Sequence, residues 1–240
     1  MKFSQPLESG RLVKRYKRFL ADIELDSGET ITAACPNTGS MLGCNLPGSR
    51  VWLSCSDNPT RKYRHTWELV EAHPGIIVGI NTNRPNRLVV EAIETKVITE
   101  LSGCSEIKTE VRYGKENSRI DILLDGNSKK PRCYVEVKNV TAAVESGIAL
   151  FPDAISERGS KHLRELMAMV AAGFRAVLVF CVQRGDVSEV RPADNIDPVY
   201  GKTLRQALAN GVEVIAYRAR VSPQEIVLVQ KIPVVCPELK

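Results

Sequence analysis

The sequence predicts an all-β N-terminal domain followed by an α/β domain. Short strand-like runs separated by turn residues fill the N-terminal third of the chain. Segments with helical spacing then alternate with strand-like segments, and residues 175–183 form a nearly continuous apolar run. Such a run suits a strand that is covered on both faces. We place the boundary so that residues 1–83 form the first domain and residues 84–240 the second.

The first domain is predicted to be a small closed sheet. Its strand-like runs are residues 15–25, 29–36, 49–55, 63–72 and 75–81, and turn-forming Gly, Pro, Asn, Asp and Ser separate them. About five short strands of this kind are typical of an oligonucleotide/oligosaccharide-binding (OB) barrel. Residues 81–87 are interpreted as a linker.

The second domain has the predicted order α-β-β-β-α-β-α-β-β. Residues 87–103 have helical spacing, and residues 158–174 form an amphipathic helix that Gly173 is expected to cap. The third predicted helix covers residues 202–211. The predicted strands are residues 105–114, 118–125, 133–140, 175–183, 212–222 and 225–234.

Composition favours a protein that folds throughout, because 43% of its residues are hydrophobic and 25% are charged. No apolar run approaches the roughly 18 residues of a membrane span, and no signal peptide is evident, so we expect a cytoplasmic protein without a membrane partner. The seven cysteines include no C-x-x-C and no Cys/His pair at zinc spacing, which predicts buried, reduced thiols.

Two β-rich runs carry charged residues that an ordinary core strand does not need. Glu136 and Lys138 alternate with apolar residues and therefore share one face of their strand. If residues 118–124 and 133–138 pair as a hairpin around the turn at 125–130, a register that joins Leu124 to Cys133 sets Asp121 opposite Glu136. Directly opposed Cβ atoms lie about 4.5–5.5 Å apart, so the two carboxylates repel unless a proton or cation neutralises them.

A divalent metal would resolve this repulsion. Mg²⁺ takes one or two protein carboxylates and completes its shell with water and phosphate, and Mn²⁺ can substitute. Lys138 beside the metal could orient or deprotonate a water and stabilise charge on phosphate. The implied chemistry is phosphodiester hydrolysis. The alternative is a half-exposed strand pair, because Asp, Glu and Lys at this spacing also arise by chance.

Several separate segments resemble a known family in order along the chain. They are residues 35–41, 61–70, 118–124, 133–141 and 151–166. By them the chain is similar to bacterial members of the sugar fermentation stimulation protein A family. The resemblance implies an N-terminal OB-like barrel, a C-terminal α/β domain like the PD-(D/E)XK nucleases, DNA binding, and a role in regulating sugar catabolism such as maltose use.

Transferred to this sequence, the nuclease-like motif maps to Asp121, Glu136 and Lys138. Ile120 stands where the superfamily motif has Pro, which leaves the carboxylate of Asp121 in place. For the first-helix acid, a third metal ligand, we predict Glu91, with Glu94 and Glu110 as alternatives. The resemblance does not decide whether the site is catalytic, because nuclease-like folds are also used for binding.

Basic residues predict a nucleic-acid surface. Residues 1–87 hold 12 Lys and Arg against 8 Asp and Glu, and these cations cluster around aromatic rings, as in OB folds that bind single strands. For Phe19 and Trp67 we favour burial in the barrel core over stacking on bases. A second positive strip is predicted on the helix after residue 157. The predicted contacts are Arg11, Lys14, Arg15, Lys17, Arg18, Arg61, Lys62, Arg64, Arg158, Lys161 and His162.

Three functional hypotheses follow. The leading one is a regulatory protein that binds DNA largely without sequence specificity and has a potential Mg²⁺ site. The alternative is a metal-dependent nuclease that acts on DNA or RNA. An OB domain that binds oligosaccharide ranks third, because the cationic clusters would have no role in it. Cys35 is interpreted as structural, with Asn37 and Thr38 as possible ligand contacts.

Overall fold

The computed structural model describes residues 1–114, 118–127, 131–145 and 147–238. The last residues of the predicted hairpin turn, 128–130, lie outside the described residues. Within them, the predicted order of an all-β barrel followed by an α/β domain is confirmed. No helix in the described ranges is long and apolar enough to cross a membrane.

The N-terminal sheet has six strands, one more than predicted. The run at residues 15–25 is divided, because residues 17–19 turn the chain between the first two strands. The strand order is β3-β2-β1-β4-β5-β6, and a pairing of Ala34 with Thr66 joins β3 to β5 and closes the barrel. The strands are β1 (Glu8–Tyr16), β2 (Leu20–Leu25), β3 (Thr30–Ala34), β4 (Arg50–Cys55), β5 (His65–His73) and β6 (Ile76–Gly79).

Apolar residues at alternate positions fill the barrel interior. Leu12, Ile23, Leu53 and Trp67 belong to one buried cluster, as the period-two alternation of strands requires. The indole N–H of the fully buried Trp67 donates to the carbonyl of Leu69 at 2.8 Å, so the expectation that Trp67 lies in the core is confirmed. The same expectation is wrong for Phe19, which is 51% exposed at the turn between β1 and β2.

The second domain is a three-layer α/β/α arrangement. Its six-stranded sheet has the order β15-β14-β12-β9-β8-β7. The elements are α1 (Pro85–Glu94), β7 (Glu106–Tyr113), β8 (Ser118–Asp125), β9 (Cys133–Val140), α2 (Glu157–Ala171), β12 (Arg175–Val182), α3 (Pro198–Ala209), β14 (Glu213–Val221) and β15 (Ile226–Ile232), with a 3₁₀ turn at Thr99–Leu101. Strand β12 lies between two parallel neighbours, and its residues from Ala176 to Val182 are all buried, as its apolar run predicts.

Helices cover both faces of this sheet. Leu88 and Val89 of α1 pack with Val135 of β9 on one face. Leu163 of α2 and Leu204 of α3 pack with β12 on the other. The structure therefore buries the central strands on two sides, and the polar residues that remain on them require a specific reason.

Helix α1 begins at Pro85, inside the segment that we expected to be a linker, because Pro is favoured in the first helical turn. It ends at Glu94, well before the predicted end at residue 103. Helix α2 begins after Ser156, whose hydroxyl accepts from the amide of Gly159. The helix ends at Ala171, and Gly173 caps it as predicted. Gly173 has φ +85°, and the amides of Gly173 and Phe174 donate back to carbonyls of the last turn.

A small sheet of three strands was not predicted. It consists of β10 (Ala143–Glu145), β11 (Gly147–Phe151) and β13 (Val187–Pro192), with β11 parallel to β13. These strands are short, and β13 lies far in sequence from its partner β11, so local patterns give little signal for them. None of the seven cysteines, all of which lie in the described ranges, forms a disulfide, as predicted, but Cys55, Cys104 and Cys236 are partly exposed.

Candidate functional site

A cavity of about 410 Å³ lies where the chain leaves the barrel and meets the edge of the second sheet. Its lining combines the segment after β6, the start of α1, the strands β7 to β9 and one turn of α2. The lining residues are Thr82, Asn83, Pro85, Asn86, Glu110, Asp121, Glu136, Val137, Lys138, Asn139, Arg158 and His162. All three residues of the predicted nuclease-like motif are among them.

The three neighbouring strands each contribute one acid at the same level. The predicted hairpin register is confirmed over residues 122–124, because Leu124 pairs with Cys133 and Ile122 with Val135, and Asp121 and Glu136 are the next residues along the two strands. On the other side of β8, the pairs that flank Glu110 set it opposite Asp121. Three carboxylates therefore cross the sheet in one row and line the same cavity.

The backbone is irregular at this row. Glu110 has φ +55°, a left-handed conformation that non-glycine residues rarely adopt. On β8, Ile122 packs on the α1 side of the sheet whereas Ile120, two residues earlier, packs on the α2 side. Regular alternation would put both on one side, so the strand rotates at Asp121. Such irregularities re-aim side chains, and here they aim acids into the cavity.

Glu136 is buried, with 1% of its surface exposed. Its Oε1 accepts a hydrogen bond from Lys138 Nζ at 2.7 Å and also contacts Nδ1 of His162. Its Oε2 has no hydrogen-bond partner among the described residues. Burial raises the pKa of this carboxyl, but Lys138 and His162 outweigh it and hold the pKa below its ordinary value. Glu136 is therefore ionised, with one oxygen still without a partner.

Asp121 is held by two donors. Its Oδ2 accepts from the amide of Val137 at 2.7 Å, and its Oδ1 accepts from Nδ2 of Asn86 at 3.0 Å. Burial and the charge of Glu136 raise the pKa of Asp121 from 3.8 to about 6. The predicted repulsion between the two carboxylates is thus present in the folded protein.

Glu91 does not join this row. Its carboxylate forms an ion pair with the amino group of Met1 at 2.5 Å, on another part of α1, and it is not among the cavity-lining residues. The third acid at the cavity is Glu110, one of the two alternatives, whose Oε1 accepts from Nδ2 of Asn86 at 3.3 Å. Glu94 is exposed on α1 outside the lining.

Two family models match the chain in succession. The SfsA N-terminal OB domain matches residues 13–80, and the sugar fermentation stimulation protein RE domain matches residues 83–225. The chain belongs to the sugar fermentation stimulation protein (SfsA) family. A sugar fermentation stimulation protein homolog of Geobacter metallireducens is 60% identical over 98% of this chain and 100% of the relative. A homolog of Thioalkalivibrio sulfidiphilus is 60% identical over 95% of both chains.

A solved structure has the same fold. It is that of Pyrococcus furiosus SfsA in complex with Ca²⁺, and it is 30% identical to this chain with a TM-score of 0.88. The match covers 98% of each chain. The two-domain architecture of this family member is therefore shared along essentially its whole length.

His162 is closer to the centre of the SfsA site than we expected. The sequence suggested phosphate contact only, but its Nδ1 faces both Glu136 and Lys138 Nζ, the latter at 3.3 Å. Arg158, one helical turn earlier, donates from Nε to His162 Nε2 at 3.4 Å and lines the cavity. Lys161 is half-buried and lies outside the lining. The i, i+4 spacing of Arg158 and His162 was the available signal.

Among the basic residues of the OB domain, Arg15 and Arg18 differ in role. Arg15 Nη2 donates to the carbonyls of Arg18, Asn37 and Gly39, so it holds the loop after β3 in place. Arg18 instead lines a second cavity of about 400 Å³ together with Asn37 and Thr38. This cavity shares Thr82 and Asn139 with the acidic one, so the two form a continuous cleft.

The other predicted cations of the OB domain lie on its surface, outside both cavities. They are Arg11, Lys14, Lys17, Arg61, Lys62 and Arg64. Lys14 forms an ion pair with Asp22 at 3.5 Å, and Lys62 lies over the ring of Tyr63. The structure therefore brings only Arg18 and Arg158 of the predicted nucleic-acid contacts, together with His162, to the cleft.

Proposed function

We propose that this SfsA family member binds nucleic acid along the cleft and hydrolyses phosphodiester bonds with a divalent metal held by Asp121 and Glu136. The observation that carries the proposal is the buried Oε2 of Glu136, which has no partner among the described residues and borders a cavity that Asp121 and Glu110 also line. A buried carboxylate oxygen without a donor is costly, and a cation would compensate it.

The donor set fits a hard cation. Its ligands are carboxylate oxygens, as Mg²⁺, Mn²⁺ and Ca²⁺ prefer. Among the described residues these oxygens do not form a set of three within 4.8 Å of one another, so a bound ion would keep water in its shell, as Mg²⁺ does. The Ca²⁺ complex of the Pyrococcus furiosus relative supports a cation of this class.

The protein residues around the acids have distinct parts in the proposed reaction. When bound, the cation would polarise a phosphate oxygen and lower the pKa of a coordinated water. Lys138 contributes positive charge next to Glu136, and this positive charge would stabilise the negative charge that develops on the phosphate. His162 fixes the position of Glu136 through Nδ1, and Arg158 in turn holds His162 by donating to its Nε2.

The cleft suggests how the substrate lies. Arg158 borders the acidic cavity and Arg18 borders the adjoining one, so a nucleic-acid backbone that follows the cleft meets a cation on either side of the acids. Phosphate contacts of this type carry little sequence information, which predicts largely non-specific binding that weakens with salt.

The test is a cleavage assay with plasmid, single-stranded DNA and RNA in Mg²⁺, in Mn²⁺ and in chelator. We expect metal-dependent cleavage that Asp121→Asn and Lys138→Ala abolish. Glu94→Gln is the matched control, because it removes an exposed acid of α1 outside the cavity. Intact substrates under every metal condition would contradict hydrolysis.

A second candidate is a DNA-binding protein that regulates sugar catabolism, such as maltose use, and does not cleave. It is favoured by the contacts of Lys138, whose ammonium already neutralises Glu136 without a metal. This function predicts salt-sensitive binding to DNA with no products in the same assay, and binding that Arg18→Gln weakens while Asp121→Asn does not.

A further inference from the structure

Three polar side chains of different chemistry meet at one end of the OB barrel. They are Glu8 on β1, Cys55 at the end of β4 and His65 at the start of β5. Their ligand atoms all lie within 4.8 Å of one another, and His65 Nε2 is 3.4 Å from Glu8 Oε2. No other set of three His, Cys, Asp or Glu ligand atoms is this close within the ranges that the structure describes.

Strand geometry brings these residues together. Cys55 and His65 are direct partners in the β4–β5 ladder. Cys55 lies two residues after Leu53, and His65 lies two residues before Trp67. Leu53 and Trp67 face the barrel core, so Cys55 and His65 face the same side of the sheet at the end of the barrel. Glu8 stands on β1, where it pairs with Leu53, and so lies diagonally across from Cys55. Three neighbouring strands therefore aim one ligand each at the same point.

We propose that Glu8, Cys55 and His65 bind Zn²⁺, with water as the fourth ligand. Imidazole, thiolate and carboxylate together form a ligand set that suits Zn²⁺, whereas Mg²⁺ and Ca²⁺ select oxygen ligands only. In a tetrahedral site with Zn–ligand bonds of about 2.0–2.3 Å, ligand atoms lie about 3.3–3.8 Å apart. The Glu8–His65 distance already meets this value, and the Sγ of Cys55 lies within 4.8 Å of both other ligand atoms.

The position suggests a consequence for nucleic-acid binding. Cys55 and His65 stand at the two ends of the loop at residues 56–64, which carries Arg61, Lys62 and Arg64. The β4–β5 ladder already brings these ends together, and a metal bonded to both side chains would add a second connection there and oppose fraying of the strand ends beside the loop. The site is separate from the acidic row of the second domain, and it does not depend on the proposed hydrolysis.

The test starts with protein that has been reduced and freed of metal by chelation, into which Co²⁺ is titrated as a spectroscopic substitute for Zn²⁺. We expect a thiolate-to-cobalt charge-transfer band that Zn²⁺ displaces at one equivalent per chain. Cys55→Ser should abolish the band. Cys104→Ser is the matched control, because Cys104 is also partly exposed but belongs to no such set among the described residues.

Competition with a chromophoric chelator measures the Zn²⁺ affinity. Mutation of a residue that only orients a metal ligand lowers metal affinity roughly 10–100-fold. Because Cys55 and His65 are ligands themselves, Cys55→Ser and His65→Asn should each weaken Zn²⁺ binding at least about 100-fold. Glu8→Gln provides a further variant, at an exposed position, should His65→Asn reduce folding. Asp121→Asn should leave both the band and the affinity unchanged.

Proteolysis gives an independent measurement. Trypsin cleaves after Lys and Arg, and Arg61, Lys62 and Arg64 are exposed in the loop. Zn²⁺ should slow cleavage there in the wild-type protein and not in Cys55→Ser. The proposal is overturned if the cobalt band is absent from the wild-type protein, if the band persists in Cys55→Ser, or if the three ligand variants bind Zn²⁺ as tightly as the wild-type protein.

Discussion

The substitution Asp121→Asn is predicted to make the metal-free protein more stable at neutral and alkaline pH. Burial and the nearby Glu136 raise the pKa of Asp121 from 3.8 to about 6, so folding disfavours its charged form. The ionised carboxyl therefore destabilises the folded protein. This loss of stability is absent when the pH is below the pKa of Asp121 in the unfolded chain, and it is complete when the pH is above the pKa in the folded protein. Asn has nearly the same shape and no charge to bury.

The magnitude follows from the two pKa values. A difference of about 2 pH units corresponds to about 3 kcal/mol, since one unit is worth about 1.4 kcal/mol. The amide oxygen of Asn can accept from Val137 or Asn86 but not from both in the present arrangement, and the lost hydrogen bond costs about 1 kcal/mol. We therefore expect a net gain of about 2 kcal/mol at about pH 8, which falls to about zero at about pH 4.5.

Urea unfolding in chelator at both pH values measures this difference. Glu94→Gln, at an exposed position, is the control and should stay within about 0.5 kcal/mol of wild type at each pH. A saturating divalent cation should reverse the order at about pH 8, because a ligand at about 100 times its Kd adds about 2.7 kcal/mol to the wild type only. A variant that is less stable than wild type in chelator at both pH values would refute the reasoning.

Three further predictions concern single side chains. Glu110→Asn should raise stability in chelator by about 0.5–1 kcal/mol in urea unfolding, because Asn tolerates positive φ and removes a charge opposite Asp121, while the Kd for Mg²⁺ rises. Arg15→Gln should lower the free energy of unfolding by at least about 2 kcal/mol, since three carbonyls lose their donor. Arg18→Gln should reduce the salt dependence of DNA binding by about one phosphate contact, and the loss of its exposed hydrogen bond to the carbonyl of Thr38 should lower the free energy of unfolding by at most about 1 kcal/mol.

The hairpin shows what local patterns can predict. The alternation of Glu136 and Lys138 with apolar residues assigned them to one face, and the register proposed for the hairpin, Leu124 with Cys133, is present in the structure. Alternation alone does not select this register, because residues on both faces of β9 are buried. The same reasoning placed Trp67 in the barrel core, but it failed for Phe19 at a turn, where no alternation applies.

The identity of the third acid at the cavity could not be predicted from local sequence patterns. The family resemblance made Glu91 the first candidate, but the direction in which α1 docks on the sheet turns it toward Met1. Glu110 faces the cavity because its backbone adopts a positive φ, which a strand pattern does not indicate. His162 joined the site for a related reason, since only the packing of α2 against β9 brings it to Glu136.

The sequence by itself determined the order of a barrel and an α/β domain, the buried central strand and the shared face of Glu136 and Lys138. These depend on periodicity and on hydrophobic burial, which act within a few residues of each other along the chain. Only the tertiary structure decided the roles of Glu110 and His162, the cleft between the domains, and the meeting of Glu8 with Cys55 and His65. Such juxtapositions depend on how the barrel closes and the helices dock, and many spacings along the chain are compatible with each of them.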